Sequence, residues 1–452
     1  WGLSMRIKEA PQFPKNMALG AVQDYKLIYE YGKEMARQCL LLGVDVNFAP
    51  DADVNSNPSN PVIGRRAFGE DPERVAKATV AYSLGLEDGG VQSVAKHFPG
   101  HGDTDVDSHK ALPTVNHTRA QLESSDLVPF KEYIGAGCSG IMVGHIAVPA
   151  LDPSGAPASL SELVTDKLLR KEMGFDGLIY TDALAMKGAV DPKGRNNVVA
   201  ALKAGADVLL NPTAPGKAVD AILAAVQSGA ISKADIEDHC KRILRYKYVL
   251  GLNPARMKGN DAELTKRINS PEAQALIKRL AAASITVLEN KNNILPVSNL
   301  ADRKVAVVNI GAKSNNDFMN TCSFYTEVEP HCTMGEAFSA SSLAKINGNS
   351  MIIAAVYDDK QATRTAFAQL VKGATKPVVG VFFVNPYKLR KFAASLSSLS
   401  ALVLAYEDIP SERVSAAEAL FGGIAVSGKL PVNLEGIAKA GQGISYPKTR
   451  LG

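Results

Sequence analysis

Two short apolar runs, GIMV at Gly140–Val143 and LIY at residues 178–180, enclose the amphipathic stretch SELVTDKLLRKEM at residues 161–173. This stretch starts with Ser161, a favourable helix N-cap, and is followed by Gly174, which favours helix termination. Its apolar residues recur with helical spacing, whereas the two runs are short and continuous, as in buried strands. The segment therefore predicts a strand–helix–strand unit of a parallel sheet.

The same rhythm extends over the first part of the chain. Further apolar runs, each followed by a polar or glycine-bearing loop, occur at residues 44–48 (VDVNF), 93–95 (SVA) and 208–210 (VLL). Strands that alternate with helices over about 250 residues fit a (β/α)8 TIM-type barrel better than a small open sheet. We therefore predict an α/β barrel over residues 1–255.

A second series of apolar runs begins near residue 301. The runs are Lys304–Ile310 (KVAVVNI) and residues 351–357, 377–384 and 401–406. They are almost continuously apolar, which is typical of parallel strands buried on both faces. We predict a second domain over residues 301–452. A linker with a helix around residues 271–283 is expected at 256–300.

Composition limits the class of protein. The chain has 452 residues, with 50 Lys+Arg against 46 Asp+Glu, 46% apolar residues and 21% charged residues. These values are typical of a globular protein with a large core. The positive charges are few in excess and scattered, so no nucleic-acid partner is expected. No apolar run reaches 18 residues, so no membrane span is expected.

The five cysteines lie at irregular spacing without a CxxC pair. Buried cysteine behaves as a small apolar residue, so we predict buried free thiols. A disulfide between Cys322 and Cys332 is the alternative if the protein is secreted.

Histidines cluster in one part of the chain. Five of the seven lie between residues 97 and 145, at His97, His101, His109, His117 and His145. Their spacing matches no recognised zinc pattern, so no metal site is predicted. His117 and His145 are expected to be hydrogen-bonded residues near the mouth of the barrel.

The segment KHFPGHGDTDVDSH at residues 96–109 follows a predicted strand, so in a barrel it lies on the catalytic face. Its glycines predict a rigid turn followed by a mobile loop. Asp107 and His109 are close enough for the carboxylate to orient the imidazole, although an exposed turn is the alternative. Asp182 directly follows the run at 178–180, where a carboxylate indicates catalysis or, alternatively, a helix N-cap.

This segment resembles the signature KHFPGHG(x)4DSH of the β-N-acetylglucosaminidase branch of glycoside hydrolase family 3. Three further segments that resemble the family occur in its order: FAPDADVN at 48–55, IGRRAFGED at 63–71 and TDALAMKGA at 181–189. The second strand series resembles the family's α/β sandwich domain. The resemblance thus implies a TIM-type barrel followed by an α/β sandwich.

The resemblance also implies roles for individual residues. Asp182 matches the catalytic nucleophile, His109 the general acid/base and Asp107 its dyad partner. The residues that match sugar contacts are Lys96, His97, Arg66 and Asp53. Considered singly, Arg66 could instead pair with Glu70, and Asp53 could form an Asx turn.

The activity implied is that of a retaining exo-β-N-acetylglucosaminidase acting on carbohydrates with terminal N-acetylglucosamine, with peptidoglycan fragments as the expected source. It needs no metal and no organic cofactor. A β-N-acetylglucosaminide phosphorylase and an inactive sugar-binding barrel are the alternatives. The sequence leaves the compartment open, with an extracytoplasmic location slightly favoured over a cytoplasmic one.

The family normally has a further strand–helix unit before the segment WGLSMR, with which this chain begins. We therefore expect an N-terminally incomplete barrel and the core of a larger enzyme. Fusion to further domains in the full-length protein stays open.

Overall fold

A computed structural model of the chain describes residues 1–252 and 262–450. Its contacts divide the chain into two compact units. The first unit is Ile28–Ile268, and the second unit consists of Trp1–Leu27 together with Asn269–Gly452. The domain boundaries expected at residues 255 and 301 stay a prediction. The first residues of the expected linker, 256–261, lie outside the described residues.

The strands of the unit Ile28–Ile268 are short and parallel. They are β1 Val46–Asn47, β2 Gln92–Ser93, β3 Ala95–Phe98, β4 Gly140–Val143 and β5 Leu178–Thr181. β1 pairs with β2, and β3, β4 and β5 pair in that order. Single parallel bridges, Asp51 to Lys96 and Tyr180 to Val208, extend this pairing. The carboxyl ends of these strands therefore point in one direction.

Helices separate the strands along the chain. The α-helices are α1 Asn16–Leu19, α2 Tyr25–Leu41, α3 Pro72–Asp88, α4 Arg119–Ser124, α5 Val128–Gly135, α6 Asn197–Ala204, α7 Pro215–Gln227, α8 Lys233–Val249, α9 Leu264–Ile268, α10 Pro271–Ser284, α11 Asp317–Cys322, α12 Ala340–Asn347, α13 Gln361–Gly373, α14 Ala393–Leu396 and α15 Pro410–Phe421. None of these described helices has the length and apolar character needed to cross a bilayer.

The predicted strand–helix–strand unit is confirmed with one difference. Gly140–Val143 and residues 178–180 are strands, but the helix between them, Leu163–Glu172, is a π-helix rather than an α-helix. The strand predicted at 208–210 is wrong beyond the single bridge at Val208. The Leu210 N–H donates to the Thr181 hydroxyl at 2.9 Å, so the backbone ladder is interrupted there.

The second unit contains a six-stranded sheet. Its strands are β6 Thr286–Asn290, β7 Lys304–Ile310, β8 Glu327–Thr333, β9 Met351–Val356, β10 Val378–Phe382 and β11 Ala401–Leu404, in the order β6-β11-β10-β9-β7-β8. Only β6 is antiparallel to its neighbour among these described strands. Alternate residues of β9 enter two separate apolar clusters, Ile352 and Ala354 in one, Met351 and Ile353 in the other. Burial on both faces, predicted from the continuous apolar runs, is confirmed.

The two edge strands of this sheet, β6 and β8, were not predicted from the sequence. β8 has the sequence EVEPHCT, which contains a proline and two glutamates. Most of its residues are at least partly exposed. Edge strands tolerate charge and proline because one side of the backbone has no strand partner. The helix predicted around 271–283 is confirmed as α10.

All five cysteines are free thiols, and none is paired in a disulfide. Cys39, Cys138 and Cys322 are buried, as predicted, but Cys240 and Cys332 are exposed. The prediction of burial is therefore wrong for these two. Cys240 lies on helix α8, and Cys332 lies on the edge strand β8, where side chains are open to solvent.

A buried carboxylate, Asp207, ties distant segments of the first unit together. Its Oδ2 accepts hydrogen bonds from Arg170 at 2.8 Å and from the Ile179 N–H at 2.9 Å. Its Oδ1 accepts from Arg242 Nε and lies at the same distance, 2.7 Å, from His239 Nδ1. Burial raises the pKa of Asp207, but the bonds from His239, the Ile179 N–H and the arginines outweigh it, so the pKa lies below its ordinary value.

Replacement of this carboxylate is expected to destabilise the first unit. Asp207→Asn leaves two arginines and a histidine without their buried anion, and breaking a buried ion pair from one side costs about 3–5 kcal/mol. Urea unfolding at neutral pH, followed by circular dichroism, measures this loss. Asp238→Asn is the matched control, because Asp238 lies on α8 in an exposed pair with Lys241. Equal effects of the two variants would contradict the assigned role of Asp207.

Candidate active site

Asp182 directly follows strand β5, and its backbone position is fixed by hydrogen bonds. The Asp182 N–H donates to the Val143 carbonyl at 2.9 Å, and the Ala183 N–H donates to Asp182 Oδ1 at 2.7 Å. Burial raises the pKa of the carboxyl, but its interactions with the imidazoles of His97 and His145, the Ala183 N–H and the Lys96 ammonium outweigh burial. The pKa therefore lies below its ordinary value, and Asp182 carries a negative charge at neutral pH.

His145 supports the backbone beside this carboxylate. It is fully buried, with Nε2 3.0 Å from the Ala183 carbonyl and Nδ1 2.6 Å from Ser159 Oγ. Burial lowers the pKa of His145, so the ring is neutral. Nε2–H then donates to the carbonyl, and Nδ1 accepts the proton of the serine hydroxyl. The expectation that His145 is hydrogen-bonded is confirmed.

A second buried carboxylate, Asp53, organises the end of strand β3 and the segment that follows it. It has 0% exposure and accepts hydrogen bonds from the His97 N–H at 3.2 Å and the His101 N–H at 2.6 Å. His97 Nδ1 lies 2.8 Å from Asp53 Oδ2. Burial lowers the pKa of His97 to about 3. The neutral ring therefore donates through Nδ1 and keeps Nε2 as an acceptor.

These contacts give Asp53 and Lys96 different environments. Both oxygens of Asp53 are already occupied by backbone and imidazole N–H groups, so in this structure Asp53 orients His97. A direct sugar contact by Asp53 stays a prediction.

Lys96 is half-buried, and its Nζ forms no hydrogen bond or ion pair with the residues that the structure describes. Burial lowers its pKa. Its donors are available to a ligand.

Asp51 is a neighbouring residue that the sequence analysis missed. Arg66 Nη2 lies 3.1 Å from Asp51 Oδ2, so Arg66 pairs with Asp51. Asp51 is buried, and neither of its oxygens accepts a hydrogen bond from the described residues. Burial raises its pKa to about 6, against the opposing charge of Arg66. The available signal was its position two residues before Asp53, since alternate residues of an extended segment share a side.

The donor atoms of Asp51, Asp53 and His97 lie within 4.8 Å of one another, which makes this cluster the metal-site candidate among the described residues. Its chemistry does not suit a cation. Both oxygens of Asp53 accept N–H bonds, and one of these bonds uses His97 Nδ1. The charges of Arg66 and Lys96 act on the same cluster. We therefore describe it as a hydrogen-bonded carboxylate–histidine cluster.

The predicted pair Asp107 and His109 is formed on an exposed loop. Asp107 Oδ1 lies 2.8 Å from His109 Nδ1 and accepts the His109 N–H at 2.9 Å. The backbone bond from His109 is the main cause that lowers the pKa of Asp107. The His109 side chain is 65% exposed. No hydrogen bond or ion pair between described residues joins this pair to Asp182.

The start of this loop is packed tightly. His101 Nδ1 lies 2.7 Å from Thr104 Oγ1, and Asn60 donates to the His101 carbonyl at 2.8 Å. A Cβ at Gly102 would lie 1.6 Å from the Val54 carbonyl oxygen, so only glycine fits. Close packing thus explains the glycine at position 102, and the mobility expected of the rest of the loop stays a prediction.

His117 holds the same loop from another side. Its Nδ1 lies 2.8 Å from Asp126 Oδ2, and its Nε2 lies 3.1 Å from Asp103 Oδ2. Asp126 is buried, whereas Asp103 belongs to the loop that leads to the pair. The expectation that His117 is hydrogen-bonded is confirmed. Its contacts link this loop to Asp126, which lies two residues before helix α5.

Comparisons with known proteins identify the family of the chain. Residues 1–246 match the family model for the glycosyl hydrolase family 3 N terminal domain. The chain is 37% identical over 320 residues to beta-hexosaminidase A of Pseudoalteromonas piscicida, covering 64% of this chain and 52% of that protein. It is 40% identical over 208 residues to a beta-hexosaminidase of Chromobacterium violaceum, covering 45% of this chain and 56% of that protein.

A solved structure is also similar over most of the chain. It is a glycoside hydrolase family 3 beta-N-acetylglucosaminidase from Paenibacillus sp. str. FPU-7, with a TM-score of 0.75 and 31% identity. The match covers 94% of this chain and 83% of that one. The chain thus shares the mixed α/β fold of this solved structure. The chain belongs to glycoside hydrolase family 3 and spans about half the length of the curated relatives it matches.

Replacement of Asp51 is expected to remove a pH-dependent loss of stability. A folded-state pKa of about 6 means that Asp51 binds its proton more tightly in the folded chain than in the unfolded chain. This contribution to stability is therefore lost as the pH rises from about 4 to about 6. Relative to the parent, Asp51→Asn should gain about 2.5 kcal/mol of unfolding free energy between about pH 4 and about pH 8.

Urea unfolding at both pH values measures the change. Asp105→Asn is the control, since Asp105 is exposed and has no ion pair with described residues. Its difference from the parent should not depend on pH in this way. An Asp51→Asn difference that is constant with pH would show that Asp51 titrates in its ordinary range.

Proposed function

We propose that the chain carries a retaining exo-β-N-acetylglucosaminidase activity, which removes terminal β-linked N-acetylglucosamine, with peptidoglycan fragments as natural substrates. The observation that carries the proposal is the ionised Asp182 carboxylate at the end of β5, which lies in the electrostatic reach of Lys96 and His97. Both the curated relatives and the similar solved structure have names that place them among enzymes acting on such sugars.

We further propose that the parallel strands of the first unit belong to a (β/α)8 barrel over residues 1–255, followed by an α/β sandwich over 301–452. Asp182 lies just beyond the carboxyl end of β5, and Lys96 and His97 lie within the last three residues of β3. Catalytic residues of such barrels lie at that face. The arrangement of the site therefore supports the barrel.

The first step forms a covalent intermediate. Asp182 attacks the anomeric carbon, and the bond to the leaving oxygen breaks. His109, charged and held through Nδ1 by Asp107, donates its Nε2 proton to that oxygen. Lys96, Arg66 and the free Nε2 of His97 bind the sugar hydroxyls, and Asp53 holds His97 in the tautomer that leaves Nε2 as an acceptor.

The second step reverses the proton transfer. Neutral His109 takes a proton from water, and the oxygen of this water attacks the anomeric carbon and releases Asp182. Two inversions restore the original configuration, so the first product is the β-anomer. The group that accepts and returns the proton is an imidazole, a side chain that can both donate and accept a proton near neutral pH.

An aryl β-N-acetylglucosaminide assayed with and without inorganic phosphate tests the proposal. Release of β-N-acetylglucosamine, followed by proton NMR, supports the hydrolase. Formation of the sugar 1-phosphate would identify a phosphorylase instead. Sugar binding without release of product would identify an inactive sugar-binding barrel, and an α-anomer as first product would contradict double displacement.

Asp182→Asn is expected to abolish turnover of every substrate, because no covalent intermediate forms without the carboxylate. The amide keeps a carbonyl acceptor for the Ala183 N–H, so the fold should be retained. Steady-state rates and the unfolding midpoint measure both effects. Asp176→Asn, on the exposed residue that precedes β5 by two positions, should keep full activity. Activity of Asp182→Asn within tenfold of the parent would show that another residue is the nucleophile.

His109→Ala is expected to affect poor leaving groups selectively. A sugar leaving group needs a proton, whereas a dinitrophenolate departs almost unaided, and general acid catalysis contributes about 10²–10⁴-fold. The rate of glycosyl-enzyme formation should therefore fall by about that factor for a disaccharide and little for the aryl glycoside. Asp107→Ala should show a milder form of this pattern. Equal losses on both substrates would assign His109 to binding instead.

A further inference from the structure

Ser108 lies between the two residues of the pair but differs from them in burial. It is 2% exposed, whereas the His109 side chain is 65% exposed. The Ser108 carbonyl accepts the Gly188 N–H at 3.1 Å. Its hydroxyl lies 3.2 Å from His101 Nε2. The loop is thus anchored at a residue between the carboxylate and the imidazole of the pair.

Gly188 belongs to the segment that begins with Asp182. A Cβ at this position would lie 2.9 Å from the Ser108 carbonyl oxygen and 3.2 Å from His145 Cβ. A backbone oxygen cannot yield as the end of a flexible side chain can. The absence of a side chain at Gly188 therefore allows the loop of the pair to pack directly on the segment that follows Asp182.

The second contact of Ser108 connects it to the carboxylate–histidine cluster of Asp51, Asp53 and His97. His101 bonds Ser108 through Nε2, and its backbone N–H donates to Asp53 at 2.6 Å. Asp53 also holds His97 through Nδ1. Ser108 is thus connected on one side to the segment of Asp182 and on the other side to the residues expected to bind the sugar.

We propose that Gly188 and Ser108 are positioning residues, which hold the Asp107–His109 pair at a fixed place relative to Asp182. The proposal rests on the proposed function, since it assigns the pair to proton transfer. The proton must reach the leaving oxygen while Asp182 reaches the anomeric carbon of the same sugar. A misplacement of about 1 Å in such an arrangement can cost about 10²-fold in rate.

Gly188→Ala tests this role through its dependence on the leaving group. The new methyl group must displace the Ser108 carbonyl and with it His109. Glycosyl-enzyme formation should fall by about 10²-fold for the β-1,4-linked disaccharide of N-acetylglucosamine. The rate for 2,4-dinitrophenyl β-N-acetylglucosaminide should stay within about threefold, since this leaving group needs no proton. Ser108→Ala, which removes only the hydroxyl contact, should show the same selectivity with about a two- to tenfold loss.

Gly216→Ala is the matched control. Gly216 lies in helix α7, and a Cβ there would meet no atom within 4 Å, so both rates should equal those of the parent. If Gly188→Ala acted through His145 and Asp182, both substrates would lose rate equally, and this result would overturn the proposal. Unchanged rates on the disaccharide for Gly188→Ala and Ser108→Ala would overturn it as well.

Hydrogen exchange separates failure of this inference from failure of the proposed function. Amides of residues 105–110 should exchange faster in Gly188→Ala than in the parent and the Gly216→Ala variant. A parent inactive on both substrates would contradict the proposed function, and unchanged exchange in Gly188→Ala would then contradict the anchoring of the loop. An active parent with equal losses on both substrates would contradict the positioning role alone. Should Gly188→Ala not fold, Ser108→Ala carries both measurements.

Discussion

The site depends on one buried carboxylate. Asp53 is removed from water, and a buried charge is tolerated only when hydrogen bonds replace its hydration. Two backbone N–H groups and one imidazole N–H supply these bonds. Because the donors belong to His97 and His101, the same carboxylate fixes the tautomer of one histidine and the backbone of the other. The cluster of Asp51, Asp53 and His97 and the start of the loop of Asp107 and His109 therefore share one support.

Two other carboxyl groups of this region show how the environment assigns roles. Asp182 interacts with the imidazoles of His97 and His145 and accepts the N–H of Ala183, so its pKa is lowered. Asp51 is buried without a hydrogen-bond donor among the described residues, and its pKa rises to about 6. Carboxyl groups with opposite shifts can serve different functions at one pH. Asp182 therefore carries the charge that the proposed nucleophile needs, whereas Asp51 pairs with Arg66.

Sequence reasoning succeeded where the signal is local. Continuous apolar runs predicted the central strands of the six-stranded sheet, and the spacing of Asp107 and His109 predicted their contact. It failed for the edge strand β8, whose charged residues are compatible with strand structure only because one side is unpartnered. It also missed the contacts of Asp207, whose partners come from segments up to 37 residues away and leave no local pattern.

The segment of residues 96–109 shows why a sequence motif alone does not reveal how the Asp107–His109 pair is held in place. Its glycines suggested mobility, yet Gly102 is required by close approach to the Val54 carbonyl. Nothing in the sequence marks Ser108 as the residue that anchors this loop. Its contact with the Gly188 N–H is made by its backbone carbonyl, which every residue has. Parallel strands bring the loops that follow them to one edge of a sheet. Segments about 80 residues apart can then constrain each other through backbone contacts, for which side-chain identity matters only where a Cβ would not fit.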